Sequence, residues 1–319
     1  MDNLVNNINA ETINTNKEKE KALRKCSNLN STLVIGFLII SNAAAFLLFS
    51  LFKALQKSIG FEDNALGLDW TMIISFISMY FITVPTLLLI AHFKGKRKFT
   101  SYYTKPQESP ARIAKMILMG MGATYTASYI FNIMFLILQN LGLKISAPVI
   151  TQSSTLQMNI VTFLMIGLVA PIFEELLFRG AILSNSVKFG GWFSAIITGV
   201  YFGLAHANYQ QIFFAAAMGI FASYMTMRCK SIIPATILHV VINSYTVILT
   251  FVMGDIDPSK ADDMTYIMEH MGQFFGIGIM GIIQFAIAVT GLVLLIIEIA
   301  KNRQKLHLNN PCPEISTKR

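Results

Sequence analysis

Charged residues are scarce in this sequence. Asp, Glu, Lys and Arg make up 13% of its 319 residues, whereas an average soluble domain carries about a quarter. Hydrophobic residues reach 54%. Because so few charges are available to cover a surface in water, the composition predicts an integral membrane protein.

Cysteine and two familiar sequence patterns are also lacking. Cys26, Cys229 and Cys312 are the only cysteines and form no CxxC pair, which argues against a disulfide framework and against a thiolate metal site. The helical zinc motif HExxH is absent. We find no internal repeat, although transporters with intramembrane ionisable residues often contain one, and this disfavours a transporter.

Long apolar runs, in contrast, recur along the chain. A membrane-spanning helix needs about 20 mostly apolar residues. The sequence predicts an all-α polytopic membrane protein with about eight transmembrane helices and an intramembrane polar cavity. The segments that meet or approach the required length are 32–52, 71–92, 113–138, 161–185, 192–207, 210–227, 231–252 and 274–299. The fifth and sixth are short and nearly contiguous, so one tight hairpin is the alternative for that pair.

Polar segments divide the chain into regions. Residues 1–30 are rich in Asn, Glu and Lys, which predicts a flexible cytoplasmic tail. After it we expect N-terminal transmembrane helices over 31–160 and a core over 161–252. An outer loop with the last helix, over 253–300, and a cytoplasmic tail, over 301–319, complete the chain. The first apolar run lacks a signal-peptide pattern and is interpreted as a retained membrane helix.

Lysine and arginine are distributed unevenly between the predicted loops. With the N-terminus inside, 20 of the 25 lie in inner segments, and cytoplasmic loops of membrane proteins carry such an excess. The last outer loop is acidic but lacks the spacing of an EF-hand. We therefore predict that both termini are cytoplasmic. The net charge of +8 then follows from this bias, so no nucleic-acid partner is needed to explain it.

Three charged residues lie close together inside the fourth apolar segment. Glu175 and Arg179 are four residues apart, so they share a helix face and are expected to pair. Glu174 lies about 100° around the helix and points elsewhere, which leaves it available as a general base. Pro171 removes one backbone N–H just ahead of them, and an opened turn there would admit water beside Glu174.

Further polar side chains follow in two later segments. His206 ends the fifth segment, and His239 and Asn243 share a face of the seventh. Counted at 1.5 Å per residue from the turn between the fourth and fifth segments, Glu174 and His206 lie at the same depth, roughly 20 Å along their helices. These residues are compatible with water activation at Glu174 and an oxyanion site at His239 and Asn243. They are also compatible with a metal site of Glu174, His206 and His239.

At these positions the chain resembles the CPBP family of membrane endopeptidases, also called the CaaX protease and bacteriocin-processing, or Abi, family. The family patterns EExxxR, FxxxH and HxxxN stand here as Glu174 to Arg179, Phe202 to His206 and His239 to Asn243. The resemblance covers about 165–250. It implies an all-helical core with the site in a cavity.

The resemblance also implies roles for the individual residues. Glu174 and His206 would activate water, His239 and Asn243 would form the oxyanion site, and Glu175 and Arg179 would support them. A metal-free glutamate mechanism is favoured because Asn243 suits an oxyanion donor better than a zinc ligand, although a divalent metal such as zinc stays open. The substrate would be a membrane-associated peptide or protein.

The composition of the tails favours a bacterial plasma membrane as the location of the protein. The alternative function is a non-catalytic immunity or scaffold protein of the same fold. That alternative is disfavoured because a scaffold has no need for a buried, unpaired carboxylate that lowers stability.

Overall fold

A computed structural model of the chain describes residues 2–60, 67–95, 104–142, 155–254 and 256–301. These residues form helices and turns and no strand, which confirms the all-α prediction. The helices are α1 (Asp2–Ile59), α2 (Trp70–Gly95), α3 (Pro110–Asn140), α4 (Leu156–Phe189), α5 (Gly191–Ala205), α6 (Tyr209–Cys229), α7 (Ile233–Met253), α8 (Met264–Glu269) and α9 (Met271–Lys301). The predicted tail beyond residue 301 lies outside the described residues, as does Cys312.

Seven helices in the described part of the chain are long and apolar enough to cross a membrane, rather than the eight predicted. The difference lies in α5, which has 15 residues and is therefore about 22 Å long, against a bilayer core of about 30 Å. The predicted segments 192–207 and 210–227 are separate helices, α5 and α6, joined by a three-residue turn.

Helix α1 begins well before its apolar part. The structure is helical from Asp2, where the sequence analysis expected a flexible tail over 1–30. Near the end of this stretch, Cys26 and Asn30 lie on one face of the helix and are buried. The Asn30 amide donates to the Ser186 hydroxyl at 2.8 Å, and the Asn185 amide donates to the Asn30 side-chain oxygen at 2.9 Å. The part of α1 around Asn30 is therefore bound to the end of α4.

Three stretches within the spanning helices have the wider π-helical turn. One lies in α2 at Ile77–Thr83, and two lie in α4 at Phe163–Val169 and Leu176–Leu183. The short α-helical stretch Ala170–Glu175 lies between the two in α4. Single π-helical turns are found frequently at functional sites, and here two of them flank the paired glutamates.

Helices α5 and α6 approach each other closely at two glycines, and the backbone of α6 there is contacted by a side chain of α4. A side chain added at Gly219 would place its Cβ 2.8 Å from the Cα of Gly199. Only glycine permits this contact, because any Cβ would overlap the facing backbone. The carbonyl of Gly219 consequently lies close enough to accept a hydrogen bond from Arg179.

A buried carboxylate joins the last helix to α3. Glu298 accepts hydrogen bonds from Arg112 at 2.7 Å and from Lys115 at 2.8 Å. The carboxylate side chain is 6% exposed, whereas the two cations are 30% and 36% exposed. We refer to Arg112, Lys115 and Glu298 as the α3–α9 ion cluster.

Candidate active site

Helix α4 provides the central charged residues of the site. Arg179 donates to the Oε1 atom of Glu175 at 2.7 Å, and both side chains are 0% exposed. The pair predicted from the four-residue spacing is therefore formed. A second nitrogen of Arg179 donates to the carbonyl of Gly219 on α6 at 3.1 Å. The buried cation is thus matched by a carboxylate and a backbone dipole.

His239 on α7 connects the two glutamates. Its Nδ1 atom is 3.0 Å from Oε1 of Glu175, and its Nε2 atom is 3.7 Å from Oε2 of Glu174. An ionised carboxylate only accepts hydrogen bonds, so the proton of this contact lies on Nδ1, and Glu175 fixes the orientation of the imidazole. We refer to Glu174, Glu175, Arg179 and His239 as the site cluster.

Phe202 on α5 packs against several members of this arrangement. The Arg179 guanidinium lies 4.8 Å from the centre of its ring, a distance typical of a cation–π contact. The imidazoles of His206 and His239 meet the same ring edge-on at 4.9 and 5.4 Å. The phenylalanine of the FxxxH pattern therefore sets the spacing between the two histidines.

His206 lies in the turn between α5 and α6. Its Nδ1 atom is 2.8 Å from the carbonyl oxygen of Phe202. Because a carbonyl oxygen can only accept, Nδ1 carries the proton, and the neutral ring presents Nε2 as an acceptor. The turn itself is fixed by Ala207 in the left-handed region, at φ 49°, and by Asn208, whose side chain caps α6.

Glu174 and His206 line the same cavity, as their equal depth predicted. The cavity has a volume of about 230 Å³ and is enclosed by α1, α2, α4, α5 and α6. Its lining consists of Phe37, Met79, Tyr80, Glu174, Phe178, Ala205, His206 and Gln211. A base, an imidazole and an amide thus face a mostly apolar space within the helix bundle.

The two oxygens of Glu174 have different surroundings. Oε1 accepts a hydrogen bond from the Tyr80 hydroxyl at 2.5 Å. Oε2 is enclosed and has no hydrogen bond within the described residues. Oε1 is therefore the atom through which Glu174 can meet a molecule in the cavity. Neither Tyr80 nor Gln211 was predicted from the sequence. Tyr80 could have been singled out, because it lies in the middle of the apolar segment 71–92, whereas tyrosines of membrane helices concentrate at the membrane–water interfaces.

Asn243 supports α4 and does not line the cavity. In the π-helical stretch, the N–H of Ala170 bonds the carbonyl of Met165, five residues back. The next residue, Pro171, has no N–H to give to Ile166 in the same register. The Asn243 amide donates to that carbonyl at 3.1 Å. This contact uses one of the two N–H donors of the amide, and the oxyanion site of His239 and Asn243 stays a prediction.

The arrangement does not fit the metal site that the sequence left open. Zinc sites take at least three protein ligands. Within the described part of the chain, no three His, Cys, Asp or Glu side chains form a group that could hold a metal ion.

Comparison with known proteins identifies the segment that holds these residues. The family model described as Rce1-like, type II CAAX prenyl endopeptidase, matches residues 156–245. The segment 156–245 is thus similar to Rce1-like endopeptidases, and we refer to it as the Rce1-like domain. This match confirms the resemblance to the CPBP family that the three motifs indicated. The domain contains Glu174, His206 and His239, whereas Tyr80 lies outside it.

A curated relative supports the same assignment. The protein named "Putative membrane peptidase YdiL" from Bacillus subtilis (strain 168) is 31% identical over 84 residues, which are 26% of this chain and 34% of that protein. The chain thus spans about a third of the length of the curated relative it matches. No solved structure matches the chain.

Proposed function

We propose that this protein is an intramembrane peptidase, which hydrolyses a peptide bond of a membrane-associated protein or peptide. The observation that carries the proposal is the shared cavity of Glu174 and His206 within an Rce1-like domain. A carboxylate and an imidazole acceptor that face one cavity are the groups that general-base activation of water requires. The names of the matched family and of the relative support peptide hydrolysis.

Water would bind between the Oε1 atom of Glu174 and the Nε2 atom of His206. Glu174 takes one proton of the water while His206 accepts the second hydrogen bond. The water oxygen then forms a bond to the carbonyl carbon of the peptide. Glu174 next gives its proton to the amide nitrogen, the C–N bond breaks, and the products are a carboxylic acid and an amine.

His239 is our candidate for stabilising the negative oxygen of the intermediate. Its Nδ1–H is bound to Glu175, so Nε2 can donate to this oxygen only when the ring is an imidazolium. Glu175 and Arg179 hold that ring in place. Asn243 takes part through α4, whose turn before Glu174 it supports, rather than as a second donor.

We place the protein in a bacterial plasma membrane, with both termini cytoplasmic. The location rests on the positive-inside bias of its loops and on the bacterial source of the relative. Both termini lie on one side only if the chain crosses the bilayer an even number of times. The structure has seven helices long enough to span and one shorter helix, α5. The topology is met if α5 and α6 form a hairpin that begins and ends on the same side of the bilayer.

The experiment measures cleavage of two membrane-associated reporter peptides by the full-length protein in detergent. One reporter carries a farnesylated CaaX end, and the other is an unmodified transmembrane peptide. Glu174→Gln should lower kcat/KM by about 10² or more, because a positioned general base contributes about 10²–10⁴. Glu298→Gln is the matched control, since it removes another buried carboxylate that does not line the cavity.

His206→Ala is tested beside His270→Ala. Each histidine is half-buried, bonds a carbonyl four residues back through Nδ1 and packs on an aromatic ring, but only His206 lines the cavity. Loss of cleavage in the His206 variant alone supports the proposal. Inhibition by a chelator that added zinc reverses would overturn the glutamate–water mechanism. A phenotype restored equally by the Glu174→Gln protein would favour the non-catalytic scaffold.

A further inference from the structure

Tyr80 contacts the reacting carboxylate from outside the Rce1-like domain. It lies on α2, and its hydroxyl donates to the Oε1 atom of Glu174 at 2.5 Å. That oxygen is the one that can meet a molecule in the cavity, since Oε2 is enclosed. Of the protein side chains that the structure describes, Tyr80 is therefore the direct hydrogen-bond partner of the oxygen that would take the proton from water.

We propose that Tyr80 is a positioning residue of the active site, whose hydroxyl holds Oε1 of Glu174 in the orientation that accepts a proton from the bound water. The inference rests on the peptidase function proposed above. A carboxylate oxygen accepts two hydrogen bonds, and Tyr80 occupies one position. Since Tyr80 and Glu174 both line the cavity, the remaining position on Oε1 is the one left for water.

The ring of Tyr80 is held in place by its neighbours. Its centre lies 4.6 Å from that of Phe76, one turn earlier in α2, and 6.2 Å from that of Phe173, which precedes Glu174. The side chain is buried, and its backbone belongs to the π-helical stretch Ile77–Thr83. A tyrosine with so little freedom can fix the carboxylate that it contacts, because little entropy is lost when the hydrogen bond forms.

This contact gives α2 a role in the chemistry. The Rce1-like domain holds the base, both histidines and the arginine, but the partner of the reacting oxygen is supplied by a helix that precedes the domain. The segment 156–245 alone is therefore expected to hold Glu174 in a less defined orientation than the full chain does.

The test compares Tyr80→Phe with the wild type in the full-length protein, on the reporter peptides described above. The substitution keeps the ring and the cavity wall and removes only the hydroxyl. We expect kcat to fall about tenfold or more with KM unchanged within about twofold, because the oriented base acts in the chemical step and not in binding. The matched control is Tyr245→Phe, which removes a hydroxyl that donates to the carbonyl of Met280 on α9.

A second readout does not depend on peptidase activity. A hydrophobic carbodiimide modifies carboxyl groups, and mass spectrometry reports the extent of labelling at Glu174 and, as an internal reference, at Glu298. Loss of the Tyr80 hydroxyl frees Oε1, so Tyr80→Phe should increase labelling of Glu174 several-fold relative to Glu298. Tyr245→Phe should leave this ratio unchanged.

The outcomes separate this inference from the proposed function. A wild type that cleaves neither reporter counts against the peptidase, and the labelling ratio then still decides whether Tyr80 engages Glu174. An unchanged kcat in Tyr80→Phe overturns the positioning role, whatever the labelling shows. A higher kcat also overturns it, because the tyrosine would then hold Glu174 away from water. If kcat falls equally in Tyr80→Phe and in Tyr245→Phe, the positioning role is overturned as well.

Discussion

The protein contains two buried clusters of charge that differ in how completely their oxygens are paired. In the α3–α9 ion cluster, one carboxylate meets two cations, and each of its oxygens accepts a hydrogen bond below 3 Å. In the site cluster, the arginine bonds only one of the two carboxylates, and the Oε2 atoms of Glu174 and Glu175 have no hydrogen bond within the described residues. Both oxygens of the Glu298 carboxylate are thus paired, whereas each glutamate of the site cluster has one enclosed oxygen that is unpaired within the described residues.

This difference indicates that the α3–α9 ion cluster joins two helices, whereas the site cluster serves the proposed chemistry. A saturated ion cluster at a helix end joins two helices, and its partly exposed cations avoid most of the cost of desolvation. An unsaturated carboxylate inside the bundle costs stability unless its free acceptor is used. We expect substitutions in the site cluster to change stability and activity together, and those in the α3–α9 ion cluster to change stability alone.

Removal of Arg179 should have the largest effect on stability. Arg179→Met leaves Glu175 charged and without its cation in the interior, which costs about 3–5 kcal/mol for buried ion pairs. In the matched variant Arg112→Met, Glu298 keeps Lys115, so the loss should stay below about 1 kcal/mol. Unfolding in mixed micelles of SDS and a mild detergent measures both. Equal losses would contradict the distinction between the two clusters.

Asn243→Ala should have an intermediate effect. It leaves the Ile166 carbonyl without a donor, which costs about 1–3 kcal/mol, and kcat should fall because the turn that carries Glu174 loosens. The double variant Pro171→Ala with Asn243→Ala provides a backbone N–H that can bond Ile166 instead, so part of the stability should return. Strict additivity of the two substitutions would show that Asn243 does not replace the bond that Pro171 lacks.

Among the substitutions at Arg179, Asn243 and Glu298, Glu298→Gln should have the smallest effect. The substitution leaves Arg112 and Lys115 without a carboxylate, but both are partly exposed and can turn toward water. We expect a loss of about 1 kcal/mol and unchanged kcat and KM on the reporter peptides. A fall in kcat comparable to that of Glu174→Gln would mean that the α3–α9 ion cluster is coupled to the site.

The part of the site that the sequence predicted depends on local geometry. Glu175 and Arg179 pair because a helix brings residues four apart together. Glu174 and His206 share a depth because α4 and α5 are antiparallel and joined by a short turn. Spacing along a helix and distance from a turn can both be counted in a sequence.

The contacts that were missed join distant parts of the chain. Tyr80 and Glu174 are 94 residues apart, and only the packing of α2 against α4 brings them together. The partner of Asn243 depends on a π-helical register that has no sequence signature. The helical residues 17–30 have a polar composition typical of a tail, yet Asn30 is buried and hydrogen-bonded to Ser186 on α4.

The length of α5 has a consequence for the lipid around the protein. Its outward face carries exposed apolar side chains at Trp192, Ile196, Val200 and Leu204, yet the helix extends for only about 22 Å. A bilayer core of about 30 Å cannot match this face at full thickness, and such a mismatch is relieved when the lipid thins. The membrane beside α5 should therefore be locally thin. The headgroup layer would then lie closer to His206 than it would in a bilayer of full thickness.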